Sequence, residues 1–205
     1  MNQRDIKELY FITPIDNIPS IFQHGIMSHN KIRASKLSHK SVAHGEVQKR
    51  REDKVIPGGK RKLHNYVNLY FNPRNSMMYS RKNLHEDLCV LAVHADVLTH
   101  QGIIIADGNA SSNYTRFFET SEGIKSLDKD SVFTENWWDP DHYEMCRKRS
   151  AACAEALFPD QLPPSKITGI YVSSEEAHGK VASIIADIRI NIPVIINGKM
   201  FFKEA

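Results

Sequence analysis

The residue in this chain with the clearest chemical potential is Glu155, which lies between Ala154 and the run Ala156-Leu157-Phe158. That run is apolar enough to draw a carboxylate toward a core, and a carboxylate there must be paired, exposed at a strand edge, or used. The ordinary alternative is an exposed Glu on an edge strand or a helix end. Metal chemistry finds little support. The ten histidines are scattered, and the only close pairs, His24/His29 and His39/His44, have spacings of five that do not stack on one helix face. Cys89, Cys146 and Cys153 are odd in number and lack C-x-x-C spacing, so neither a disulfide framework nor a zinc site is expected. No G-x-x-x-x-G-K-[ST], no G-x-G-x-x-G after a strand, no H-E-x-x-H and no G-x-S-x-G occurs, which removes the sequence support for P-loop, Rossmann, zincin and hydrolase-elbow readings.

Charge is distributed unevenly. The whole chain carries a net +3, yet between Lys31 and Lys62 eleven Lys or Arg face three acids. Such a segment attracts phosphate by ion pairing and counterion release, whatever the base sequence; the plain alternative is a solvated basic loop. Pro57-Gly58-Gly59 makes one continuous helix across it unfavourable.

The elements that must position these residues read as α+β. Leu9-Tyr10-Phe11-Ile12 is β-prone, and Thr13 begins a turn or caps the helix that follows. In that helix Ile15, Ile18, Ile21 and Phe22 recur at helical spacing, and Gly25 stops it. Pro19 fits only near a first turn, which places the start close to Asn17. From His29 to Lys62 the chain is expected to be mostly loop, with room for a short helix in 42–54. Strands are expected at Tyr66–Phe71, Leu88–Val93, Gly102–Ala106 and Ile167–Val172, the second and third buried on both faces. Helices are expected in 139–152 and in 175–189, where Val181, Ile184, Ile185 and Ile188 share a face. Val194–Ile196 and Met200–Phe202 would flank a hairpin turn at Asn197-Gly198. With 205 residues, 41% hydrophobic and 25% charged, one domain over 1–205 is expected, with a basic loop or helix insertion at about 31–62. No apolar stretch is long enough to span a bilayer, and no apolar run follows the N-terminus, so a cytoplasmic protein is expected.

Taken in order, several blocks resemble the DarT toxins. In the first half these are Tyr10-Phe11-Ile12-Thr13-Pro14-Ile15-Asp16-Asn17-Ile18, Gly25-Ile26-Met27-Ser28-His29-Asn30, Val47-Gln48-Lys49-Arg50-Arg51, and the long run from Leu63 through Tyr79. In the second they are His85-Glu86-Asp87-Leu88, Ala106-Asp107-Gly108-Asn109-Ala110, Arg116-Phe117-Phe118, Trp137-Trp138 and Cys153-Ala154-Glu155-Ala156-Leu157-Phe158-Pro159. The similarity runs from about residue 8 to about residue 173. Each block alone is weak; the ordered series is specific.

The resemblance implies an ADP-ribosyltransferase fold with a split, twisted β core whose cleft holds NAD⁺, the ADP-ribose donor, with no metal. It implies that Phe11, Ile12 and Thr13 approach the nicotinamide side, and that Gly25 and Ser35 approach the ribose or adenosine. Tyr70 and Tyr79 join them as cofactor-binding candidates. It matches Glu155 to the catalytic glutamate and Arg51 to the catalytic arginine, with Arg50 the alternative for the latter. A fixed carboxylate in a dry pocket stabilises the oxocarbenium-like ribose that forms as nicotinamide leaves. A guanidinium stays protonated, so positioning of the pyrophosphate or base suits Arg51 better than a literal base role. The implied acceptor is a thymine or guanine base of single-stranded DNA. Single strands are held by basic grooves and by aromatic platforms on which bases stack. The candidates are Arg50, Lys60, Arg61, Lys62, Arg74, Arg116, Trp137 and Trp138, with Tyr114 and Phe117 also aromatic candidates; the adjacent tryptophans are expected to divide between core and groove. The implied biology is a monomeric toxin checked by a DarG-type macrodomain antitoxin.

The chain departs from the family at Phe11, where members commonly carry a His that donates to the cofactor ribose, and at Pro14, often another His. Two other readings follow from that departure and from the basic segment: a catalytically silent NAD⁺ or nucleic-acid binding module, and an RNA-directed transferase.

Overall fold

The computed structural model describes residues 1–37, 39–40, 45–57 and 61–203. In chain order the elements are β1 (Glu8–Pro14), α1 (Ile18–His24), β2 (Ile26–Met27), α2 (His29–Ser35), α3 (Gly45–Asp53), β3 (Tyr66–Tyr70) and α4 (Ser76–Tyr79). Next come β4 (Leu88–His94), β5 (Ile104–Ala106), β6 (Phe117–Glu119), α5 (Thr120–Ser126), α6 (Lys129–Val132) and α7 (His142–Ala151). The chain then forms β7 (Glu155–Pro159), β8 (Gln161–Leu162), β9 (Ile167–Val172), α8 (Glu175–Asp187) and β10 (Val194–Ile196). The α+β organisation expected from the sequence is the one adopted.

One eight-stranded sheet has the order β10-β9-β4-β1-β3-β7-β5-β6, and β2 pairs with β8 beside it. All its pairings are antiparallel except β9 with β10. The apolar run of β4 is buried from Leu88 through Val93 because strands cover both its edges and the core covers its faces. Ala177 and Val181 of α8 are buried against the same core, and Ile184, Ile185 and Ile188 pack partly buried beside them.

The sheet comes apart at its middle. β1 pairs with β4 along its whole length, from Glu8↔His94 to Pro14↔Leu88, but meets β3 only at Tyr10↔Tyr70. Beyond that point Phe11–Pro14 and the start of β3 diverge, and the backbone groups that a continuous sheet would pair between them face a cavity instead.

Local chemistry explains the flanking elements. Pro19 lies in the first turn of α1, and Gly25 ends that helix at φ +82°, where a Cβ would stand 2.4 Å from the Leu162 carbonyl oxygen. The Ser28 side chain caps α2 by accepting from the Lys31 N–H, and Lys36 ends it in the left-handed region.

Four expectations are corrected. Thr13 lies inside β1 rather than in a turn. The segment read as loop after His29 opens with helix α2, while α3 falls within the 42–54 stretch where a short helix was expected. Strand β5 begins at Ile104, since Gly102 turns the chain at φ +87°. Met200–Phe202 form no hairpin: Gly198–Phe201 is a 3-10 turn that buries Phe201 completely, while β10 returns through α8 to lie parallel to β9.

Candidate active site

Glu155 opens β7 and sits between two strands, opposite Tyr70 of β3 and Ala106 of β5. It is 1% exposed, so the edge-strand alternative does not hold. Its carboxylate accepts three hydrogen bonds. Oε1 accepts from the Ala110 backbone N–H at 2.9 Å and from Arg51 Nη1 at 3.2 Å, and Oε2 accepts from Arg51 Nη2 at 3.1 Å. Arg51 comes from the last turn of α3, a fork-on-fork pair bridging residues far apart in the chain. The turn that presents Ala110 is packed tightly, because a Cβ on Gly108 would meet Ser150 Oγ at 2.5 Å. Lys54 Nζ ties the end of α3 to the same turn by donating to the Ser112 carbonyl.

Electrostatics follow from this burial. Desolvation pulls the Arg51 guanidinium down, but the Glu155 charge beside it and their hydrogen bonds outweigh that, and the net direction is up. The group remains a cation. Burial, then the Glu155 charge, pushes the Tyr70 phenol up, so it stays protonated. Burial and the neighbouring Arg51 pull Lys54 down.

A cavity of about 280 Å³ opens where the sheet splits. Phe11, Ile12 and Thr13 line it from β1, Gly25 and His29 from the next segments, Gln48 and Arg51 from α3, Tyr70 from β3, and Asn109 and Cys153 from either side of the carboxylate. Glu155 itself does not line it; Arg51 does, and holds the carboxylate. Thr13 is buried, and its hydroxyl accepts from Asn17 Nδ2 at 3.0 Å; the same Asn17 side chain bonds both backbone groups of Lys40. The His29 ring stacks on His64 at 4.6 Å and meets His39 edge-on at 5.5 Å. Burial, then the His64 and His39 charges and Arg51, hold His29 down at about 4, so it is a neutral ring near pH 7. Among the described residues no cluster is suited to hold a metal.

The remaining sequence candidates divide. Ser35 ends α2 in solvent and Tyr79 is exposed; neither lines the cavity. Tyr79 instead packs edge-on against Trp137 at 5.8 Å and Phe202 at 5.2 Å, beneath the Lys82 ammonium. Trp137 is half-buried in that cluster and Trp138 is 67% exposed. Arg74 donates to the Glu135 carbonyl and stacks over Phe202 at 4.1 Å. Arg116 is paired with Asp107, Arg61 with Asp160, and Lys62 with Asp53. Arg50 is exposed without an ion pair among the described residues, Tyr114 is 95% exposed, and Phe117 is half-buried in β6. Lys60 lies outside the described residues. Sequence reasoning paired His29 with His24 and His39 with His44 and did not bring His29, His39 and His64 together; the His29 and His64 rings meet because α2 packs over the turn before β3.

The family model described as "ssDNA thymidine ADP-ribosyltransferase, DarT" matches residues 10–202. A DNA ADP-ribosyl transferase–DNA ADP-ribosyl glycohydrolase fusion protein of Thermosipho africanus is 34% identical over 201 residues, covering 96% of this chain and 50% of its own. The structure of Thermosipho africanus DarTG in complex with ADP-ribose superposes with a TM-score of 0.83 at 35% identity, over 96% of this chain and 51% of that one. The structure of Thermus sp. 2.9 DarT in complex with ADP-ribosylated ssDNA also gives 0.83, at 25% identity, over 98% and 99%. The chain thus spans about half the length of the fusion protein and nearly all of the Thermus protein.

Proposed function

The chain belongs to the DarT family, and from that premise we propose that it transfers ADP-ribose from NAD⁺ to a thymine of single-stranded DNA. The observation that carries the reading is the buried Arg51–Glu155 pair beside a cavity at the split of the sheet. A buried ion pair returns little net stability for its desolvation, and a carboxylate held in place beside the cavity is what the reaction draws on.

In the reaction the bond between nicotinamide and the ribose carbon breaks, its electron pair leaves with nicotinamide, and a base nitrogen bonds to that carbon while its proton passes to water. Glu155 stabilises the positive charge that develops on the ribose, an interaction stronger in the transition state than in the ground state. The Ala110 N–H fixes that carboxylate without neutralising it. Arg51 is a permanent cation and acts by position: it leaves part of its fork on Glu155 and offers the rest to the diphosphate or the acceptor base. Thr13 keeps its own hydroxyl proton to donate, since Asn17 fills its acceptor side. Phe11 contributes only an apolar ring, so ribose contacts fall to Thr13 and to the unpaired backbone of β1.

Arg50, Arg61, Lys62, Arg74 and Arg116 with Trp138 and Tyr114 are the candidates for the strand, acting as a monomer on one domain in the cytoplasm. The relative in which a transferase and a glycohydrolase are fused supports a macrodomain antitoxin as partner. No described helix is long and apolar enough to cross a membrane. The test is mass spectrometry of short oligonucleotides, DNA and RNA, each with one candidate base, after incubation with protein and NAD⁺. A gain of one ADP-ribose on the thymine DNA alone is the expected result. A gain on RNA only, or on none with the fold intact, removes the assignment.

A further inference from the structure

Gln48 and Arg51 stand three residues apart on α3 and both line the cavity, so their side chains share one helix face. Arg51 is committed to Glu155. Among the described residues Gln48 is committed at one end only: its Oε1 lies 3.0 Å from His64 Nε2. His64 is 4% exposed, sits in the 3-10 turn Leu63–Asn65 before β3, and has a buried Nδ1 with no hydrogen-bond partner among the described residues.

That orphaned nitrogen decides which way the amide points. Burial, then the Arg51 charge, pulls His64 down, so the ring is neutral near pH 7 and carries one proton. If Nε2 carries it, the ring donates to Gln48 Oε1 and Nδ1 is left as a bare lone pair. If the amide were reversed, Nε2 would have to accept and the proton would sit on Nδ1 as a buried N–H bonded to nothing. Orphaned buried donors are rarer than under-satisfied acceptors. The first arrangement therefore holds, and the two amide N–H donors of Gln48 are the end left to the cavity.

We propose that Gln48 determines the acceptor base by donating to the O4 carbonyl of thymine, and that His64 is the positioning residue that keeps the amide in that orientation. The proposal rests on the transfer reaction proposed above and names its selectivity. A donor at this point suits the carbonyl of thymine, whereas cytosine presents an amino group where thymine has O4, and donor would meet donor.

The experiment measures transfer at saturating NAD⁺ to oligonucleotides containing one thymine or one cytosine, for the wild type, Gln48→Glu, Gln48→Met and His64→Phe, with NAD⁺ affinity read separately by calorimetry. Gln48→Glu turns both donors into acceptors and is expected to lower kcat/KM on thymine by about 10- to 100-fold. Gln48→Met falls in the same direction, and the larger change in both is in transfer rather than in NAD⁺ affinity. His64→Phe keeps a ring for His29 to stack on but frees the amide, so the thymine-to-cytosine preference narrows by roughly tenfold. A purely packing role for His64 would leave that ratio unmoved. Wild-type base preference and oligonucleotide KM in both Gln48 variants would overturn the proposal, as would a defect confined to NAD⁺ affinity. A wild type that modifies neither oligonucleotide would overturn the transfer reading and this one with it, a result distinct from an active wild type with indifferent variants.

Discussion

A carboxylate and a guanidinium removed from water together gain little, yet either one left alone in the same place is costly. This asymmetry separates what Arg51 and Glu155 do for the fold from what they do for the reaction. The pair is 9% and 1% exposed at its side chains. Glu155→Gln keeps an acceptor for Ala110 but leaves Arg51 uncompensated, and it is expected to lower transfer by about 10²–10³-fold and to lower the melting temperature. Arg51→Met combined with Glu155→Leu removes both charges and is expected to melt at or above the wild-type temperature while abolishing transfer. A large loss of stability in the double variant would make the pair a structural element. At this scale the sequence was legible where a polar residue interrupts an apolar run, as Glu155 does between Ala154 and Ala156. It was not legible for the His64–Gln48 bond, whose partners come from separate elements with no shared periodicity, nor for the stacking of His29 on His64.

Elements were legible where their buried face is apolar and opaque where it is not. β4 and α8 follow the familiar periods, and Pro19 and Gly25 bracket α1 as their backbone chemistry requires. α3 was legible only as room for a short helix, without its facing, because the residue it buries is Arg51 and its inward face looks polar in sequence. The 3-10 turn at Gly198–Phe201 escapes it because Asn197-Gly198 before three apolar residues also describes a hairpin. Gly25 carries the sharpest test of an element junction. It ends α1 at φ +82° and leads into β2, whose Ile26 pairs with Leu162, and a Cβ there would strike the Leu162 carbonyl. Gly25→Ala is expected to cost about 1–3 kcal/mol from backbone strain and to weaken NAD⁺ binding, since β2 borders the cavity. Gly179→Ala, mid-helix in α8 with nothing within 4 Å of its new Cβ, should instead gain about 0.5–1 kcal/mol. Denaturant midpoints for both would check the pair of signs; equal effects would show that Gly25 is not held by that contact.

Across the whole molecule, the basic excess between Lys31 and Lys62 is partly spent by folding. Arg33 pairs with Glu52, Lys40 with Asp16, Arg51 with Glu155, Arg61 with Asp160 and Lys62 with Asp53. Of the described cations in that segment, Lys31, Lys36, Lys49 and Arg50 are exposed without an ion pair among the described residues. Lys49 and Arg50 are the two that α3 turns outward while it turns Arg51 inward, so one helix offers the cavity a fixed cation and solvent two free ones. A strand whose base enters the cavity would pass its phosphates near that outer face. Lys49→Glu with Arg50→Glu is therefore expected to weaken oligonucleotide binding and to flatten the plot of log affinity against log salt by about 1.4, since each single-strand phosphate contact contributes roughly 0.7. Lys125→Glu, on the exposed face of α5, should leave that slope unchanged. Equal slopes for the wild type and the α3 variant would route the strand away from this helix, toward Trp138 and Tyr114, and the basic segment would then act through its ion pairs alone.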